Sequence, residues 1–233
     1  MRREQKMLKA VIFDFDGVIA DSEFLHYKAL NQALEQYGVY VPKKVHWDKY
    51  LGYTDLENIQ AVSKDYKLNL SPEQIRQLAR QKTEFFRQLA GKETAILNGV
   101  EAFIDLLKTH RIHRAVCSGA LREDIEQMLA GSDLLDAFEV LVTAEDVKKG
   151  KPDPEGYLLA LQRLNQKQTT PIRPQECVVI EDSHWGLAAA AAAGMHRIAV
   201  TNTYPAEQLQ SQAEKVVTRL DELSIDDLRL LCQ

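Results

Sequence analysis

A chain of 233 residues, 45% of them hydrophobic, is long enough for one ordinary core plus a smaller inserted unit, which excludes a disordered polypeptide. The net charge is −5 and the lysines and arginines are scattered, so there is no electrostatic footprint for nucleic acid or for an anionic membrane surface. A small diffusible ligand suits this balance, and the expected state is a monomer or weak homo-oligomer.

The first apolar stretch, Leu8 to Phe13, contains a lysine and runs directly into Asp14. It is expected to be neither a signal-peptide core nor a membrane span, which points to a cytoplasmic protein. Lys9 to Phe13 is the first of five short apolar runs that end in polar or glycine-containing segments. The others are His113 to Cys117, Val140 to Thr143, Cys177 to Ile180 and Arg197 to Thr201. Helix-like periodicity follows them, the alternation of a parallel α/β sheet, and several are continuous enough to be buried on both faces. Lys215 to Thr218 is a candidate edge strand.

About a hundred residues separate the first run from the second, far more than one crossover helix requires, and they carry no strand pattern. The spacing predicts an inserted helical unit over residues 22–95, leaving residues 1–21 and 96–233 as the core. Its first helix starts at Ser22 and ends near Gly38, with Leu30, Ala33, Leu34 and Tyr37 on one face. A second helix begins at Ser71, where Pro72 and Gln74 complete a capping box, and turns Ile75, Leu78, Ala79, Phe85 and Phe86 inward. Asn98-Gly99 marks re-entry to the core, Val100 to Leu107 is the helix before the second strand, and Ala188 to Ala193, ended by Gly194, is a small-residue helix close against the sheet. Leu223 to Leu231 is read as a terminal helix docked on the core. The three cysteines, Cys117, Cys177 and Cys232, lack metal or redox spacing and are expected to be reduced.

The chemistry is expected where buried strands end, since open α/β sheets bind ligands at their carboxyl edge. The first strand runs into Asp14 and Asp16, two carboxylates two residues apart. Such clustered anions are offset most simply by a bound cation, and oxygen-only ligands favour magnesium. A carboxylate can also attack phosphorus while a second carboxyl group protonates the leaving oxygen. The alternative for this segment alone is a pair of solvated turn residues. Ser118 and Gly119 end the second strand with a hydroxyl and backbone N–H groups that can hold phosphate oxygens, although a serine there can equally cap a helix. Lys151 sits in a proline-stiffened loop, where a cation can stay fixed beside phosphate; the neighbouring Lys148 and Lys149 have a solvated reading. Glu181 and Asp182 again end a buried strand in carboxylates that can complete a magnesium shell begun by Asp14, and Ser183 caps the helix that follows.

In this order, Asp-Phe-Asp-Gly-Val-Ile-Ala-Asp-Ser, the Ser118 strand end, Gly-Lys-Pro-Asp-Pro and Glu-Asp-Ser-His-Trp-Gly followed by Ala-Ala-Gly-Met resemble the haloacid dehalogenase superfamily of phosphohydrolases, in the branch of β-phosphoglucomutase and phosphoglycolate phosphatases. The resemblance spans essentially the whole chain. It implies a Rossmann-like parallel-sheet core with an inserted α-helical cap domain that closes over the site. It further implies Asp14 as nucleophile and Asp16 as general acid and base, with Ser118, Gly119 and Lys151 holding the phosphoryl group. Magnesium would be bound by Asp14, the Asp16 carbonyl and Asp182, with Glu181 either a further ligand or an anchor behind them. In the cap, His26 matches a histidine that positions substrate and general acid, and Leu51-Gly52-Tyr53-Thr54 matches a substrate-contacting loop in which Gly52 and Thr54 are the candidate contacts. Asp55 stands where the mutase has an arginine for a second phosphate, with Lys92 and Arg122 as conceivable substitutes. The expected activity is therefore hydrolysis of a small phosphorylated metabolite, with a phosphosugar mutase and a non-catalytic phosphometabolite sensor as alternatives.

Overall fold

The computed structural model describes residues 7–50, 53–90, 96–130, 132–166 and 168–233. Contacts divide the chain into two compact units, residues 1–20 with 96–233, and residues 21–95. Gly52 and Lys92 lie outside the described residues.

In the larger unit six parallel strands take the order β3-β2-β1-β4-β5-β6. They are β1 (Ala10–Phe13), β2 (His113–Cys117), β3 (Val140–Val142), β4 (Cys177–Glu181), β5 (His196–Val200) and β6 (Lys215–Val217). The four residues of β1 and the five of β4 are all buried, which the unbroken Ala-Val-Ile-Phe and Cys-Val-Val-Ile runs require of central strands. The chain leaves β1 for β2 on one side and returns to β4 on the other, so the order reverses beside β1 and opens a crevice at the carboxyl edge.

One face of the sheet packs Ile12, Ala115, Cys117 and Val179 against Tyr157, Ala160, Leu161 and Leu164 of α7 (Glu155–Asn165), together with Ala189 and Ala190 of α8 (His184–Ala192). The alanine run of α8 suits this place, because methyl groups let a helix approach the strands closely. Its end is set by Gly194, whose φ of 73° is the left-handed value that terminates a helix cheaply. On the other face Phe13 meets Phe103 of α5 (Val100–Thr109) edge-to-face at 5.9 Å. Leu228 of α10 (Ile225–Leu231) and the following Cys232 are also buried, so the terminal helix is docked. All three cysteines are buried free thiols.

The two points where the insertion leaves and re-enters this unit are adjacent. Ala20 bridges Ile96 in antiparallel fashion, and Leu97 N donates to Ile19 O at 2.9 Å.

The smaller unit is helical: α1 (Ser22–Leu34) continued by a 3-10 turn (Glu35–Tyr37), α2 (Lys43–Lys49), α3 (Asp55–Asp65) and α4 (Pro72–Ala90). Gly38 ends the first helix with φ 66°. Leu30, Ala33, Leu34, Val41, Tyr50, Ile59, Val62, Leu78 and Ala79 form its core. Asn31 ties the chain after α1, donating to Val41 O at 3.2 Å and accepting from Val41 N at 2.7 Å. The expected capping box opens α4, with Ser71 N donating to Gln74 Oε1 at 2.8 Å and Gln74 N to Ser71 Oγ at 3.3 Å. No helix among the described residues is long and apolar enough to cross a membrane.

Candidate active site

Strand register positions the site. Phe13 lies opposite Ile180 on one side and Val116 on the other, so the next residues, Asp14, Glu181 and Cys117, come level, with Ser118 and Asp182 one step beyond. The ladder still holds at Asp14, whose N–H donates to Ile180 O at 2.9 Å. After Phe15 the chain closes a tight loop in which Gly17 N donates to Ala20 O at 2.8 Å and Gly17 takes a φ of 74°. Glycine is needed there on two counts. The backbone is left-handed, and a Cβ would fall on the Asp182 carboxylate and within 2.9 Å of Thr203 Oγ1.

Lys151 joins the acidic groups. Its Nζ donates to Asp14 Oδ1 and Glu181 Oε1, both at 2.6 Å, with 18% of the side chain exposed. Ser118 Oγ donates to Asp16 Oδ2 at 3.3 Å and accepts from Ala120 N at 3.0 Å. The helix that follows, α6 (Arg122–Leu129), has Leu121 at its N-cap and no side-chain cap bond, so Ser118 is not a capping residue. Gly119 is exposed beside it, and a cavity of about 230 Å³ runs from Ser118 and Gly119 to Lys151 and Tyr157. Lys148 and Lys149 are exposed, in keeping with their solvated reading.

Glu181 is fully buried and saturated with donors. Beyond Lys151 it accepts from Tyr157 OH at 2.9 Å, Asp182 N and Ser183 N at 3.0 Å, and Ser183 Oγ at 2.9 Å. Although burial pushes a carboxyl up, the Lys151 charge and these bonds hold Glu181 below its usual range. It is built as a permanent anion that fixes the lysine. Ser183 also caps α8, accepting from Gly186 N at 3.1 Å.

Asp14 and Asp182 lie beside Glu181. Asp14, Glu181 and Asp182 each offer an oxygen within 4.8 Å of the others. Burial raises Asp14 well above its ordinary value; Lys151 opposes this while Glu181, Asp182 and Asp16 reinforce it. Burial and Glu181 raise Asp182 to about 7. Burial disfavours the Lys151 ammonium too, yet Asp14 and Glu181 hold its pKa well above normal. Three buried carboxyls, two of them bonded to the Lys151 ammonium, thus lie together, and such a set of hard oxygen donors fits a divalent cation.

The second set of expected residues lies in the smaller unit. His26 stacks on Phe86 at 4.0 Å and its Nδ1 accepts from Lys82 Nζ at 3.2 Å. Burial and the Lys82 charge push His26 down to about 4, so the ring is neutral with its proton on Nε2. Lys82 is only 1% exposed and is paired with Asp55, which also accepts from Thr83 Oγ1 at 2.6 Å. Thr54 is exposed and caps α3, exchanging bonds with Glu57. Arg122 is engaged in the larger unit, donating to Leu141 O at 3.1 Å.

Sequence reasoning missed Lys82, Tyr157 and Thr203. Lys82 sits in a run of polar residues on an amphipathic helix and reads as a solvated charge; only its place on the inward face, four residues after Leu78 and four before Phe86, hints at burial.

A parallel sheet whose order reverses at a cluster of buried carboxylates and a lysine defines a Rossmann-like α/β enzyme with an anionic, cation-seeking centre. The chain belongs to the haloacid dehalogenase-like hydrolases, whose family model matches residues 11–200. It is 33% identical over 94% of its length to the chloroplastic 5-amino-6-(5-phospho-D-ribitylamino)uracil phosphatase of Arabidopsis thaliana, of which it spans 57%. It is 34% identical to a phosphorylated carbohydrates phosphatase of Thermotoga maritima, over 82% of this chain and 84% of that one. The crystal structure of β-phosphoglucomutase from Clostridium difficile superposes with a TM-score of 0.74 and 26% identity, covering 97% of both chains.

Proposed function

We propose that the protein is a magnesium-dependent phosphatase of small phosphomonoesters, of the sugar phosphate or phosphoglycolate type, working through a phosphoaspartate at Asp14. The observation that carries this reading is the Asp14 carboxylate at a strand end, bonded to Lys151 and within 4.8 Å of carboxylate oxygens of Glu181 and Asp182. An Asp14 oxygen attacks phosphorus, the bond to the leaving oxygen breaks, and Asp16 delivers the proton that oxygen needs. Asp16 then takes a proton from water as the water oxygen attacks phosphorus, which frees the Asp14 carboxylate and inorganic phosphate. Ser118, the Gly119 N–H and Lys151 hold the phosphoryl oxygens. Magnesium, held by Asp14, Asp182 and the Asp16 carbonyl, would supply the positive charge that keeps the nucleophile ionised beside a phosphate dianion. Glu181 serves as the anchor of Lys151 rather than a ligand, because its oxygens already accept five hydrogen bonds. The buried free thiols suit a cytoplasmic setting.

Hydrolysis is preferred over mutase chemistry because of Asp55. A mutase must grip a second phosphate, and here the place of its arginine is taken by a carboxylate that neutralises the buried Lys82. The test is phosphate release from a panel of sugar phosphates, phosphoglycolate, nucleotides and pyridoxal phosphate, with magnesium or with EDTA. Turnover that needs magnesium and vanishes in Asp14→Asn is the expected result; turnover surviving in Asp14→Asn would overturn the reading. Isomerisation that requires a bisphosphate primer would instead establish the mutase.

A further inference from the structure

The loop after β5 carries two residues that reach back across the sheet to both acidic segments. Asn202 Nδ2 donates to Gly17 O at 2.8 Å, tying the loop to the turn that follows Asp14 and Asp16. Thr203 Oγ1 donates to Asp182 Oδ2. The same Thr203 oxygen is 2.9 Å from where a Gly17 Cβ would be, so the turn, Asp182 and Thr203 meet at one point that only glycine leaves open. Asp182 is 4% exposed and is crowded by Glu181 and Asp16, whose charges repel it.

A short carboxylate in such surroundings has reason to rotate away from its neighbours. The Thr203 hydroxyl restrains that rotation by engaging one oxygen, Oδ2. Asn202 holds the loop, and therefore the hydroxyl, in register with the Gly17 turn.

We infer that Thr203 is a positioning residue for the divalent-cation site, fixing the orientation of Asp182 through its hydroxyl while Asn202 clamps the loop that presents it. The inference rests on the metal-binding part of the reading above. Losing a hydrogen-bond partner behind a metal ligand typically weakens metal affinity about tenfold to a hundredfold.

The experiment is calorimetric titration of magnesium chloride into the full chain without substrate, comparing wild type, Thr203→Val, Thr203→Ser and Asp182→Asn. Valine keeps the shape of threonine and removes the donor; serine keeps the donor. Thr203→Ala is run in parallel, so that a folding defect particular to valine does not decide the outcome. Thr203→Val and Thr203→Ala are expected to bind magnesium at least about tenfold more weakly than wild type, with Thr203→Ser within about threefold. In steady-state assays the loss should appear in the magnesium concentration needed for half-maximal rate, with kcat largely recovered at saturation. Wild-type binding of magnesium with Thr203→Val and Thr203→Ala both within about twofold of it would overturn the role of Thr203 alone. Wild type that takes up no magnesium would overturn the metal reading and this inference together.

Discussion

Replacing Gly186 by alanine is expected to destabilise the protein, against the ordinary preference of helices. Gly186 is the third residue of α8, and alanine in a helix interior normally gains about 1 kcal/mol over glycine. Here the new methyl group would coincide with the Glu181 carboxylate. A carboxylate at the end of a free side chain would swing aside at little cost, but this one is fully buried and held by five hydrogen bonds from Lys151, Tyr157, Asp182 and Ser183. A bond to a charged group contributes about 1.5–3 kcal/mol, so losing two of them costs about 4 kcal/mol and leaves a net loss of about 3 kcal/mol after the helix gain. For a chain of this size that lowers Tm by about 6–12 °C. Thermal melting followed by circular dichroism, with phosphate release measured on the same samples, tests this, and turnover should fall because Lys151 loses its anchor. A Gly186→Ala protein that melts at or above wild type with unchanged turnover would refute the claim that Glu181 is rigidly held.

Lys151→Met should lower turnover at least about a hundredfold and destabilise the metal-free protein by about 3–5 kcal/mol, because two clustered carboxylates lose their cation; urea unfolding and phosphate release check both effects. In the smaller unit, Asp55→Asn should cost about 3 kcal/mol by leaving the Lys82 ammonium buried and poorly paired, whereas Asp55→Asn with Lys82→Met should recover most of it in the same unfolding assay. Because His26 has a folded pKa of about 4 against an ordinary 6.5, its neutral form contributes stability that is present above pH 6.5 and is lost as pH falls toward 4. The urea midpoint of His26→Gln should therefore change less between pH 7 and pH 4.5 than that of wild type; equal changes would count against a buried neutral ring.

Much of the fold could be read in advance because its signals are local. Every apolar run that was expected to be a strand is one, to within a residue or two, since buried parallel strands must be continuously apolar and the following polar segments end them abruptly. The Ser71 capping box and Gly194 were legible for the same reason: a cap is a statement about a few adjacent residues. The cluster of Asp14, Ser118 and Asp182 was legible because each directly follows a strand, and parallel register brings strand ends level, whereas Lys151 comes nine residues after β3 and was legible only from its proline-stiffened loop. What stayed hidden depends on distance along the chain. Thr203 meets Asp182 across 21 residues and Asn202 meets Gly17 across 185, and nothing in Thr-Asn-Thr-Tyr-Pro marks such partners. Lys82 was hidden because a lysine on an amphipathic helix looks the same whether it faces water or a carboxylate 27 positions away. The five donors of Glu181 were hidden for the same reason, since Lys151 and Tyr157 lie 30 and 24 positions away.

The bridge between Ala20 and Ile96 has a consequence for how such a protein can change. Because the insertion leaves and returns through paired residues, its two covalent links to the larger unit lie side by side. The insertion can therefore vary in length while its two ends stay at the same point of the larger unit. A lineage built this way can vary the inserted unit while the acids and the lysine at the sheet edge stay as they are, so that the two parts become separate matters of heredity.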